Sequence, residues 1–220
     1  MKIKIKRLVE FRLYLAIELV IFVVFPLLIN EFWPQFFKIR HIILGIGVVY
    51  AYAIAKSHDI SFSDMGLRKE NFKESLRDVM PFTFVMILVM TACYLVVPGL
   101  MRVEQLDDVL QVSAVRFFFV VMLPYNVLSV PVQEFIFRGY YVPRVALTSK
   151  HKIFTTIWSA LVFMFAHILY YNILFNIGTF AIGIVYARNF FKYKNIYSLM
   201  VSHAILGTIY STILYLLATQ

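Results

Sequence analysis

The sequence predicts an all-α fold, a polytopic membrane helical bundle of about seven transmembrane spans plus a short motif-bearing helix. Three observations predict it. Of the 220 residues, 61% are hydrophobic and 15% charged, with a mean hydropathy of +0.80. A soluble domain has roughly 45–50% apolar and about 25% charged residues, so this chain lacks the polar side chains to cover a water-facing surface. The apolar residues come in runs long enough to cross a bilayer, at about 20 residues per span. The single cysteine, Cys93, excludes an internal disulfide and a cysteine-based metal cage. The expected organisation is one membrane domain over residues 1–220.

The elements follow in order. Lys2, Lys4, Lys6 and Arg7 precede an apolar run to Asn30. The run is long enough to span, and no small-residue cleavage site follows it, so it reads as a retained helix rather than a signal peptide. The expected spans are 11–30, 41–56, 79–100, 113–131, 153–171, 173–190 and 196–218, with 132–147 as the further short helix. The polar stretch Lys56–Asp78 reads as a turn at 63–70 entering a short amphipathic helix. On it, Leu67, Phe72, Leu76 and Val79 would lie on the membrane surface with Lys and Arg snorkelling around them. No internal repeat or second domain is visible.

The net charge of +9 follows topology rather than nucleic-acid binding. Lys56, Arg68, Lys69, Lys73 and Arg77 follow the second span; Arg144, Lys150 and Lys152 follow the fourth; Arg188, Lys192 and Lys194 follow the sixth. The alternate loops carry Glu31, Lys38 and Arg40, or Arg102 with Glu104, Asp107 and Asp108, and no charge at 171–176. By the positive-inside rule the N-terminus is cytoplasmic and the C-terminus outside. The expected partner is the lipid bilayer, without nucleic acid. A bacterial plasma membrane is the expected location, since no targeting tail is read in the chain.

Ionisable groups inside apolar segments are costly and carry the functional signal. They are Glu18, Arg116, Glu134, Arg138, His167 and His203, while His41, His58 and His151 stand at span edges or in loops. Glu18 reads as a structural hydrogen-bonding residue and Arg116 as a snorkelling edge residue. Glu134 and Arg138 share a helix face at i,i+4. They form either a buried ion pair that orients helices, or a carboxylate held by its arginine for general-base work. His167 and His203 lie in separate spans. Converging with Glu134 they would suit water activation and oxyanion stabilisation, or zinc. No H-E-x-x-H motif or serine elbow is present, and Ser202 points away from its neighbour His203.

Three segments together resemble the CPBP family of CAAX proteases and bacteriocin-processing proteins, the type II CAAX prenyl endopeptidase or Abi family. Its first motif, Glu-Glu-x-x-x-Arg, is matched by Gln133-Glu134-Phe135-Ile136-Phe137-Arg138-Gly139. Its second, Phe-x-x-x-His, is matched by Phe163 and His167. Its third, His-x-x-x-Asn, is matched in part by His203 and Gly207. The resemblance covers residues 113–215. It implies an intramembrane endopeptidase with a peptide or membrane-protein substrate and without a metal cofactor, zinc being the disfavoured alternative. A glutamate and His167 would activate a water while His203 holds the oxyanion, and Arg138 would support the glutamate.

Two positions depart from the pattern. Gln133 replaces the glutamate taken as the base, and a glutamine cannot ionise. Gly207 replaces an asparagine taken to help hold the oxyanion. Glu134 lies one residue along and about 100° around the helix, so it does not occupy the same point. The expected function is hydrolysis of membrane-associated, prenylated or bacteriocin-type peptides. The alternative is a catalytically weakened relative acting as a membrane binding, immunity or regulatory protein. A transporter ranks below both, because paired broken helices and inverted repeats are not seen.

Overall fold

The computed structural model describes residues 2–24, 28, 32, 40–57, 60–149 and 151–220. The end of the first expected span, Glu31, Lys38, His58 and Lys150 lie outside the described residues. The described residues form helices and turns, with no strand among them. The helices are α1 (Lys2–Leu19, continued by a π-helical stretch Val20–Val24), α2 (Arg40–Ser57), α3 (Phe72–Val96), α4 (Ala114–Thr148), α5 (Lys152–Phe165), α6 (Ile173–Tyr193) and α7 (Ile196–Ala218).

Among these, α3, α4, α6 and α7 are long and apolar enough to cross a membrane, against the seven spans expected. The segments expected as 113–131 and 132–147 are one continuous helix, α4. Within it α-helical stretches alternate with π-helical ones at Phe118–Met122, Tyr125–Ser129 and Phe135–Tyr141. Pro131 and Pro143 stand near the start of the α-helical stretches that follow two of these. A proline lacks an N–H and crowds the carbonyl four residues back, so the chain widens ahead of it instead of breaking. The span expected at 153–171 ends at Phe165, and a short 3₁₀ turn at Ile168–Tyr170 redirects the chain into α6.

The short amphipathic surface helix expected after the turn at 63–70 is not a separate element. Residues 61–71 form turns, and Phe72 opens α3 itself. Val79 is buried in the core, with Leu67 and Leu76 packed against it. Burying these apolar side chains between helices stabilises more than laying them on a surface.

Two apolar clusters close the bundle at its ends. One joins Ala51 and Ala55 of α2, Val79 of α3, Phe135 and Tyr140 of α4, Tyr186 and Phe190 of α6 and Ile196 and Leu199 of α7. The other joins Val103 and Leu110 of the α3–α4 connection to Phe117 and Met122 of α4 and Leu214 and Ala218 of α7. Each cluster takes opposite ends of α4 and α7, so the middles of these helices are left to line the space between. The outer faces carry exposed apolar side chains, among them Phe84 and Leu88 of α3, Phe118 and Phe119 of α4 and Ile153 of α5. Such a surface suits lipid tails rather than water.

Polar side chains fasten α3 to α6 and α7 where water is absent. The Ser75 hydroxyl lies 2.7 Å from Asn189 Oδ1 and 2.6 Å from the Ser198 hydroxyl. Thr83 lies 2.6 Å from Ser202, which accepts from the Tyr186 hydroxyl at 2.6 Å. Asn195 caps α7 through the Ser198 N–H and donates its amide to the Arg68 and Glu70 carbonyls. Hydrogen bonds between membrane helices contribute about 0.6 kcal/mol each on average, so the set rather than any one of them fixes the packing.

A second polar cluster joins α1, α2 and α4. Glu18 Oε1 accepts from the Tyr50 hydroxyl at 2.9 Å, the Tyr140 hydroxyl at 2.8 Å and Arg144 Nη2 at 2.9 Å. Arg144 also donates to the Tyr140 hydroxyl. Glu18 is therefore the structural residue expected. Arg144 is not the loop charge expected of it, because it is buried in α4 against this carboxylate. Glu18→Ala leaves that guanidinium buried without its counter-ion. The expected loss is about 3–5 kcal/mol, read as a lowered melting temperature in detergent.

Candidate active site

The middle of the bundle encloses a cavity of about 740 Å³. That is within the range of ligand-binding pockets, about 300–1,000 Å³. Its walls are mostly apolar: Met86, Val89 and Met90 of α3, Val120 and Val121 of α4, and Leu174 and Ile177 of α6. Its polar groups are concentrated on one side, where Tyr125, Ser129 and Gln133 of α4 face His167 and the His203 and Gly207 stretch of α7. Spacings of four residues along α4 put the first three on one face.

Glu134 is completely buried behind this wall and is not among the cavity-lining residues. Its Oε1 lies 2.6 Å from His203 Nδ1 and accepts from Arg138 Nη1 at 3.2 Å. The buried ion pair of the first sequence reading is present within α4, and the contact of its carboxylate with His203 ties α4 to α7. A carboxylate beside Nδ1 accepts its N–H and fixes the ring orientation, leaving Nε2 for the cavity.

Arg138 is 2% exposed. Its guanidinium carbon lies 3.9 Å from the centre of the Phe163 ring and 5.1 Å from that of Tyr186. Two aromatic faces lower the cost of holding a cation out of water. Phe163 also holds His167, since its carbonyl lies 2.8 Å from the Nδ1 of that ring. A carbonyl only accepts, so Nδ1 carries the proton and the lone pair is on Nε2. The phenylalanine four residues before the histidine thus orients both the arginine and the histidine. His167 terminates the helix rather than sitting inside it, because α5 stops at Phe165 and the chain turns.

Gln133 lies on the other side of the α4 wall. Its amide nitrogen donates to Ser129 Oγ at 2.8 Å, and its Oε1 is buried without a partner among the described residues. A buried carbonyl oxygen costs free energy unless something donates to it. Here the neighbouring space is the cavity.

Gly207 faces Tyr125. A methyl group at position 207 would run into the Tyr125 hydroxyl and the ring atoms beside it. The glycine is a requirement of this contact, so the space an asparagine would need is filled by the tyrosine. Gly139 of the first motif also marks a close approach, since a Cβ there would lie 2.7 Å from the Met65 carbonyl oxygen. Gly139→Ala is expected to push α4 away from the 61–71 turn and lower the melting temperature.

Glu134, Arg138, Phe163, His167, Gln133, His203 and Gly207 therefore meet at one place. Ser202 turns away to Thr83 and Tyr186, as its position beside His203 on a helix requires. Two residues escaped the sequence reading. Ser129 is signalled only by its i,i+4 spacing from Gln133, and Tyr125 by the polar pair Tyr125-Asn126 inside an apolar span. Among the described residues no cluster of three His, Cys, Asp or Glu side chains is placed to hold a metal. The two histidine Nδ1 atoms are committed to Phe163 and Glu134, and Glu134 stands behind the cavity wall.

Among known proteins, residues 115–209 match the model of the family described as type II CAAX prenyl endopeptidase Rce1-like. No match was found among curated proteins or among solved structures. The matched segment runs from the start of α4 to the middle of α7 and holds every one of these seven residues. The chain is an integral membrane protein that over residues 115–209 is similar to the Rce1-like family of type II CAAX prenyl endopeptidases.

Proposed function

We propose that this protein is an intramembrane endopeptidase that hydrolyses a peptide bond of a membrane-associated peptide, with His167 as the base on the cavity side. The observation that carries the reading is the fixed tautomer of His167: Nδ1 is held by the Phe163 carbonyl, so Nε2 is the proton acceptor. Gln133 Oε1, buried and unpartnered among the described residues, accepts one hydrogen bond from the attacking water and orients it. A glutamine that positions a hydrolytic water without ionising is known chemistry. His167 takes the proton as the water oxygen adds to the scissile carbonyl carbon. His203, paired with Glu134 as an imidazolium with a proton on each ring nitrogen, donates from Nε2 to the oxyanion. The proton on His167 then passes to the leaving amine as the C–N bond breaks.

The apolar cavity walls suit a substrate with a lipid or strongly apolar segment, so lipidated C-termini and bacteriocin-type precursors are the proposed substrate classes. No cofactor is invoked. The loop charges support a cytoplasmic N-terminus.

A second reading is favoured by Gln133 itself, which stands where the resemblance places an ionisable base. In that reading the chain is a weakened relative that binds a membrane partner. Substitutions at position 133 separate the two. With a water-positioning glutamine, Gln133→Leu lowers kcat about tenfold, the equivalent of one net hydrogen bond of about 1.4 kcal/mol. Gln133→Glu raises it by adding a second proton acceptor. If only Gln133→Glu cleaves and the natural chain is silent, the binding reading takes its place.

A further inference from the structure

The Gly207 contact shows more than a missing side chain. The Tyr125 ring lies edge-on to His203, with centroids 6.1 Å apart at an interplanar angle of 76°. Its hydroxyl sits over the Cα of Gly207, where any larger residue would displace it. Tyr125, His203 and Gly207 all line the cavity. The hydroxyl makes no hydrogen bond with the described residues. Tyr125 is half-buried and its hydroxyl is open to the cavity, where a phenylalanine would fill an apolar wall as well.

The position is also fixed from the next residue along each helix. Asn126 donates to the Thr208 hydroxyl at 3.0 Å and to the Met122 carbonyl at 2.9 Å. This clamp holds α4 against α7 at the level of Tyr125 and Gly207. A donor held in place before the reaction costs no reorganisation when charge develops.

We infer that Tyr125 is a further catalytic residue, whose hydroxyl donates to the substrate oxyanion beside His203, from the space that Gly207 leaves open. The inference rests on the peptidase reading above. No bond to Tyr125 forms or breaks: its O–H hydrogen-bonds to the carbonyl oxygen as negative charge builds there, and is released when the carbonyl reforms. The asparagine missing at position 207 is then replaced in function by a side chain from another helix.

The test uses the full-length protein in lipid nanodiscs and a farnesylated peptide panel, in two hosts, the natural chain and Gln133→Glu. Tyr125→Phe keeps the ring on Gly207 and removes only the hydroxyl. In the host that cleaves, kcat is expected to fall by about 10²–10³ with KM and melting temperature unchanged. Tyr125→Ala with Gly207→Asn should regain at least about tenfold over Tyr125→Ala alone, because the asparagine enters the vacated space and supplies one donor. A structural role for the ring would not produce that rescue. Tyr125→Phe cleaving at the parent rate, while His167→Ala is silent, overturns the inference and leaves the peptidase reading standing. Cleavage by neither host above the His167→Ala background overturns both.

Discussion

Glu134→Ala is expected to cost both the fold and the reaction. Its carboxylate is the counter-ion of a guanidinium that is 2% exposed, and no other carboxylate among the described residues pairs with Arg138. Removing one partner of a buried pair destabilises by about 3–5 kcal/mol, because the other charge stays buried without compensation. The same substitution frees His203 Nδ1, so the ring loses its fixed orientation in the cavity wall. The expected outcome is a large fall in the detergent melting temperature together with lost cleavage. Glu134→Gln separates the two effects. Its amide oxygen can still accept from Arg138 or His203, but it carries no charge, so part of the fold is retained while activity stays low. A Glu134→Ala protein that melts like the parent would show that neither the Arg138 ion pair nor the His203 contact holds the bundle together.

His167→Ala is expected to behave in the opposite way. His167 lies at the end of α5 and in the cavity wall, with one hydrogen bond to the carbonyl four residues back. Its removal breaks no ion pair and leaves no buried charge. Melting is expected to change little, while kcat falls by about 10²–10⁴, the usual contribution of a general base. The contrast between the two variants is diagnostic. A residue that holds the bundle together lowers stability and rate together, whereas one that moves a proton lowers the rate alone. Equal loss of stability in both variants would make His167 a structural histidine.

The helical membrane class was legible in the sequence because composition and run length are set by the solvent. α6 and α7 were legible almost to the residue. The boundary expected after residue 131 is absent, since Pro124 and Pro131 both lie within the one continuous helix α4. The chain instead passes through them by widening its turns. The polar stretch at 61–78 misled for a related reason. Lys73, Glu74 and Arg77 stand on the first turns of α3, whose other face is already buried at Ser75 and Val79.

At the candidate site, residue types in ordered motifs identified the participants, since Glu134, Arg138, His167 and His203 have few other reasons to lie in apolar helices. What the sequence could not assign was which of two neighbours faces the cavity. Gln133 and Glu134 differ by one residue, and only the packing of α4 against α7 puts the first at the cavity and the second behind its wall. Tyr125 was harder to read than Ser129, because the contact that singles it out is with a glycine 82 positions later, to which the pair Tyr125-Asn126 does not point.

The most direct measurement is hydrolysis of a farnesylated peptide by the purified natural chain in nanodiscs containing ¹⁸O-labelled water, with mass spectrometry of the products. A chelator arm and His167→Ala run alongside. The expected result is a new C-terminal carboxylate carrying one labelled oxygen, formed equally with and without chelator and absent with His167→Ala. Peptide bound but uncleaved by the natural chain, with no labelled product above the His167→Ala background, would contradict a peptidase built on Gln133 and His167.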